Sequence, residues 1–126
     1  MKYVVVESRL KTDKSRSYLW NKINSPKKII KIENFDKNSK IKKISDNNYE
    51  VISKKDVILM SFIPKKGANL VFVGKRNYPL TWFEIRGKTI VHGEYKKISG
   101  MSKKNFEKEI KWLKRHFMEE LMEIAK

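Results

Sequence analysis

The chain has 126 residues, no cysteine and a formal net charge of +16, with 40% hydrophobic residues. That length fits one domain with a sizeable core, and the hydrophobic share is too high for a disordered chain. No apolar run nears the ~18 residues of a transmembrane helix, so no membrane insertion is expected. The lack of cysteine excludes disulfides, thiolate zinc sites and cysteine nucleophiles. With His92 and His116 as the only histidines, neither a histidine-rich metal site nor a cofactor is expected.

Residues 2–10 alternate as a strand, with Val4, Val6 and Leu10 on one face and Tyr3 and Val5 on the other. The four apolar residues Tyr3 to Val6 are too short a run for a signal-peptide core, which points to the cytoplasm. "TDKSRSYLWNKINSPKKIIKIENF" then changes period. Thr12 or Asp13 can cap a short helix carrying Tyr18, Leu19, Trp20 and Ile23. Ser25-Pro26 ends it, because the residue before proline avoids helical geometry, and Pro26 opens a second helix through Ile29, Ile30 and Ile32.

Six strands follow, at 40–44, 49–53, 57–63, 69–73, 80–86 and 89–98, joined by short turns in the manner of an antiparallel meander. Gly87-Lys88 fits a two-residue type II′ turn between the last two. Ser102 then caps a helix over about 103–125. Its Phe106, Ile110, Leu113, Phe117, Leu121 and Ile124 recur at steps of three and four and form one narrow apolar stripe. The expected fold is α+β, a single domain over 1–126. In it a curved seven-stranded antiparallel sheet (β-α-α-β6-α) wraps the C-terminal helix and leaves a hollow between them. Lys103 and Lys104 begin that helix and Glu119, Glu120 and Glu123 end it, the reverse of what the helix dipole favours.

This order resembles the START-like helix-grip superfamily, which includes polyketide cyclases and aromatases. Leu19-Trp20, Lys22-Ile23-Asn24 and Ser25-Pro26 match its pattern of an aliphatic-Trp pair, a polar-apolar-polar stretch and a Pro-containing second helix. The chain is also similar to a small set of uncharacterised archaeal helix-grip proteins. Lysine enrichment without any glutamine is a thermophile tendency, which nine asparagines weaken. The resemblance implies a deep hydrophobic cavity between sheet and helix, and it does not imply a reaction.

The hairpin "LTWFEIRGKTIVHGEY" carries the candidate chemistry. If its Phe83 face looks inward, His92 and Glu94 enter the hollow two residues apart, a carboxylate and an imidazole suited to general acid–base work. If the Trp82 face looks inward, Glu84, Arg86 and Tyr95 do so instead, since a one-residue register change exchanges the faces. The competing expectation is that Glu84, His92 and Glu94 sit on a solvated strand face among lysines. No Ser/His/Asp order, glycine-rich phosphate loop or paired-acid spacing accompanies them.

Bulky, adaptable groups speak for binding rather than catalysis. Met60, Phe62, Phe72, Trp82, Phe83, Ile110, Leu113, Phe117 and Leu121 are the expected ligand-binding wall, with Phe106 among the bulky groups and Met118 and Met122 widening the apolar face of the last helix. The leading expectation is thus a carrier or sensor of a hydrophobic small molecule or lipid. The alternative is a cyclase- or aromatase-like enzyme using Glu94 or Glu84 with His92 or Tyr95. Strands 57–63 and 69–73 are apolar on both faces, so a homodimer through the outer face is also expected. The span Arg9–Lys43 holds twelve basic residues against three acidic ones and attracts polyanions. Five arginines among thirty basic residues offer little bidentate base recognition, so nucleic-acid binding would be nonspecific.

Overall fold

A computed structural model of the chain describes residues 2–74, 77–98 and 100–126. The elements run β1 (Tyr3–Lys11), α1 (Arg16–Ile23), α2 (Pro26–Glu33), β2 (Lys40–Ser45), β3 (Asn48–Ile52), β4 (Val57–Ile63), β5 (Gly67–Val73), β6 (Leu80–Arg86), β7 (Thr89–Lys97) and α3 (Lys103–Ile124). All seven strands form one curved antiparallel sheet, ordered β1-β7-β6-β5-β4-β3-β2, with the three helices set against it. The α+β expectation therefore holds. The segment between β5 and β6 includes Lys75 and Arg76, which lie outside the described residues.

Local chemistry accounts for most boundaries. The N-cap of α1 is Ser15, not Thr12 or Asp13; its hydroxyl accepts from the Tyr18 amide. Thr12 is held instead to the β6–β7 turn, where its amide donates to the Lys88 carbonyl at 2.9 Å, so the helix starts later. Ser25 caps α2, with Pro26 in its first turn. Asn34 closes α2 in the left-handed conformation (φ 56°), and the Phe35 amide returns to the Ile30 carbonyl at 2.9 Å. β5 begins two residues before the expected 69, because Gly67 and Ala68 also pair, with Ile63 and Phe62 of β4. At Gly87 φ is 59°, as the first central position of the expected hairpin turn requires.

The three helices divide the sheet's inner face. α3 lies chiefly along β1 and β7, at one edge, while α1 rests on β5 and β6. Val6 packs with Leu113 and Phe117 in a small cluster flanked by Val4 and Ile110. The main core is separate. Leu19, Ile23, Ile29 and Ile30 from the short helices meet Val51, Ile58, Met60, Phe62, Leu70, Phe72, Phe83 and Ile85 from the sheet, with Leu121 and Ile124 closing it. Across the sheet, Leu59, Ile63, Val71 and Val73 face outward and are exposed. β2, at the far edge, is exposed throughout.

Candidate functional site

The β6–β7 register pairs Thr81 with Glu94, Phe83 with His92 and Ile85 with Ile90, the alignment expected from the Gly87-Lys88 turn. The face carrying Phe83 and His92 turns inward, against the helices. Trp82 lies over Gly93, where an added Cβ would come within 2.7 Å of the indole and 2.8 Å of the Val6 carbonyl oxygen. Trp82 takes the outer face beside the exposed Tyr95, with ring centroids 5.6 Å apart. Glu84, half-buried, pairs there with the exposed Arg86. The opposite face carries Thr81, Phe83 and Ile85 on β6 and His92, Glu94 and Lys96 at alternate positions of β7, all buried.

His92 is fully buried. Phe83 stacks on its ring at 3.9 Å between centroids and 9° between planes, and Phe117 leans on it at 4.4 Å. Its Nδ1 is 2.9 Å from the Trp82 carbonyl oxygen, which can only accept, so Nδ1 carries a proton. Its Nε2 faces two carboxylates: Glu33 Oε1 at 2.9 Å, from the end of α2, and Glu120 Oε2 at 3.3 Å, from α3. Both separations are short, yet neither oxygen makes an aligned hydrogen bond with Nε2. On its other side, Glu120 Oε1 lies 2.7 Å from Nε2 of His116, whose ring stacks on Trp112.

The cluster's titration follows from burial set against charge. Burial alone would push the His92 imidazolium down; the Glu33 charge and contacts with Glu120 and Glu33 outweigh it and raise the group to about 10. Burial pushes Glu33 up, but His92 opposes it and holds the carboxyl below its usual range. Burial dominates at Glu120, which rises to about 7. One imidazolium can neutralise one carboxylate, so the other is driven to keep its proton.

Next to this cluster lies a cavity of about 300 Å³ between β7 and α3. Glu33, Phe35, Tyr78, Thr81, Glu94, Lys96, Glu109, Trp112, Leu113, His116 and Phe117 line it. Lys96 Nζ pairs with Glu109 Oε1 at 2.6 Å across it. Glu94 Oε2 is buried with no hydrogen-bond partner among the described residues, and burial pushes the carboxyl up to about 7 against the pull of Lys96 and His92. A second, open groove of about 570 Å³ runs between the short helices and the end of α3. Lys22, Lys28 and Lys31 line one wall and Glu119, Glu120 and Glu123 the other. The acidic end of α3 thus shares a groove with the lysines of the short helices, and Glu120 is engaged by His92 and His116, which together offset the unfavourable dipole.

Of the expected catalytic candidates, His92 and Glu94 share the inner face, whereas Glu84 and Tyr95 lie outside. Of the expected ligand wall, Leu113 and Phe117 line the cavity. Met60, Phe62, Phe72, Phe83 and Leu121 are buried in the main core, Ile110 flanks the small cluster, and Trp82 faces outward. Met122 is exposed. Glu33, Glu109, His116 and Glu120 join the site without having stood out as candidates. Glu120 carried a signal, as an acid at the unfavourable end of a helix. Glu33 carried none, being one glutamate at the end of a lysine-rich helix.

No family model and no curated protein matches the chain. A crystal structure of an uncharacterized protein from Bacillus thuringiensis has the same fold, with a TM-score of 0.57 over 97% of this chain and 96% of that one, at 12% sequence identity.

Proposed function

We propose that the chain is a small-molecule-binding protein of the START-like helix-grip kind, with its ligand seated in the cavity between β7 and α3. The observation that carries this reading is Glu94, a buried carboxylate whose Oε2 has no hydrogen-bond partner among the described residues and which borders that 300 Å³ hollow. An unpartnered buried acceptor costs about 1–3 kcal/mol, and a ligand donor placed on it recovers that loss. Phe35, Leu113 and Phe117 supply apolar surface, worth about 25 cal/mol per Å² removed from water. Three hundred Å³ is at the low end for ligand sites, so the ligand is compact, mainly apolar and carries one amine or hydroxyl. A two-chain lipid is too large.

The test is saturable binding of a fluorescent apolar dye, its displacement by small hydrophobic amines and alcohols, and mass spectrometry of whatever co-purifies. Leu113→Trp should fill the hollow and abolish dye binding, and Glu94→Gln should weaken amines more than alcohols. Dye binding that survives Leu113→Trp in a folded variant would sink the proposal.

A further inference from the structure

Two carboxylates and a histidine from three separate elements meet with their donor atoms all within 4.8 Å of one another. We propose that Glu33 Oε1, His92 Nε2 and Glu120 Oε2 form a binding site for one divalent transition-metal ion, zinc above all. This does not depend on the identity, or the existence, of a ligand in the neighbouring cavity.

Three features of His92 point to a metal. Its Nδ1 is engaged by the Trp82 carbonyl at 2.9 Å, the outer contact that fixes a metal-binding imidazole so that Nε2 can ligate once an ion displaces its proton. Phe83 and Phe117 hold the ring so that Nε2 cannot turn away. And Nε2, on a fully buried side chain, has no aligned hydrogen bond among the described residues although two carboxylates are beside it. Donors arranged for each other would point along an N–H bond. Donors arranged for a shared central atom would not.

The spacing agrees. Bonds of about 2.0–2.2 Å in a tetrahedral shell separate neighbouring donor atoms by roughly 3.3–3.6 Å. Here Nε2 is 2.9 Å from Glu33 Oε1 and 3.3 Å from Glu120 Oε2, so a small outward shift of Glu33 admits an ion. Charge agrees as well, since a dication cancels two carboxylates around a neutral imidazole. Glu120 Oε1 remains with His116, 2.7 Å away, as an outer contact that orients the carboxylate. Glu120 borders the open groove, which gives the ion a way in, and Glu33 borders the cavity, where a fourth position can take water or a ligand atom. One nitrogen with two oxygens suits zinc, iron(II) or manganese(II), and zinc binds most tightly of these.

Cobalt(II) is the probe. Protein cleared of metal by a chelator should take up one equivalent of cobalt per chain with visible absorption bands, and zinc should bleach them. Zinc should also raise the thermal midpoint. Glu33→Gln and Glu120→Gln, each checked for folding by circular dichroism, should weaken cobalt binding at least 10-fold. His116→Ala should weaken it less. The absence of saturable uptake in the wild-type chain overturns the site, as does an affinity unchanged in Glu33→Gln. Binding that is lost in His116→Ala yet kept in Glu33→Gln assigns the ion to the His116–Glu120 pair at the groove and also overturns it.

Discussion

Beneath α1 and α2, the inner face of β4 to β6 is sealed by Leu19, Ile23 and Ile29 against Ile58, Met60, Leu70 and Phe83, nearly all of them with no exposed surface. Beneath α3, the inner face of β7 offers His92, Glu94 and Lys96 in succession, and the helix answers with Glu109, His116 and Glu120. The first region is held by area and close packing, neither of which responds to pH or to ions. The second is held by a balance of charges in a place where unbalanced charge is expensive. The folding free energy resides mainly in one region, and the means of responding to a ligand, a proton or a metal reside in the other.

Breaking the sealed region should have the largest effect. Leu19→Ala removes a side chain with no exposed surface and should cost about 2–5 kcal/mol, read from chemical denaturation. Its effect should be the same at pH 5 and pH 8. A loss that changes strongly with pH would show that the two regions are coupled rather than distinct.

The polar region should reveal itself in that dependence. Glu94 and Glu120 are raised to about 7, so between about 4.5 and 7 the folded chain binds more protons than the unfolded one. Their stabilising share is complete below about 4.5 and is lost as pH rises through 7. His92, raised to about 10, acts in the same direction between about 6.5 and 10. Glu33 is lowered and acts oppositely, losing its share as pH falls below the usual carboxylate range. In the presence of chelator, Glu120→Gln mimics the protonated acid. Its midpoint relative to wild type should therefore climb from pH 5 to pH 8, by roughly 5–10 °C. A difference flat with pH, measured by thermal melts in matched buffers, would remove the charge-balance account.

Smaller effects sharpen the boundary between the regions. The Ser8 hydroxyl donates to the Lys114 carbonyl at 2.7 Å and ties β1 to α3, so Ser8→Ala should cost about 0.5–1.5 kcal/mol by denaturation. Arg9, at the next position but on the outer face, pairs with Glu7 at 2.7 Å in solvent. Arg9→Ala should cost at most about 0.5 kcal/mol, and less in high salt. If the two losses are equal, Ser8 is not the tie the geometry makes it.

Period and punctuation along the chain determined the elements. The apolar run "VILMSFI" between turns, Ser25-Pro26 between the short helices, Gly87-Lys88 between β6 and β7, and the stripe from Ile110 to Ile124 each act over a few residues, where side-chain direction follows from backbone geometry alone. The strand register and the pairing of His92 with Phe83 were readable for the same reason. Which face of that hairpin turns inward was decided by packing, because both faces carry large apolar and charged side chains alike and only the helices laid against one of them separate the two. The cluster of Glu33, His92 and Glu120 was likewise beyond local reading: its members are 59 and 28 positions apart and come from a helix end, a strand and another helix. Bringing acids so distant to one imidazole is the work of the folded core, which supplies the free energy to hold them where, as isolated side chains, they would stay in water.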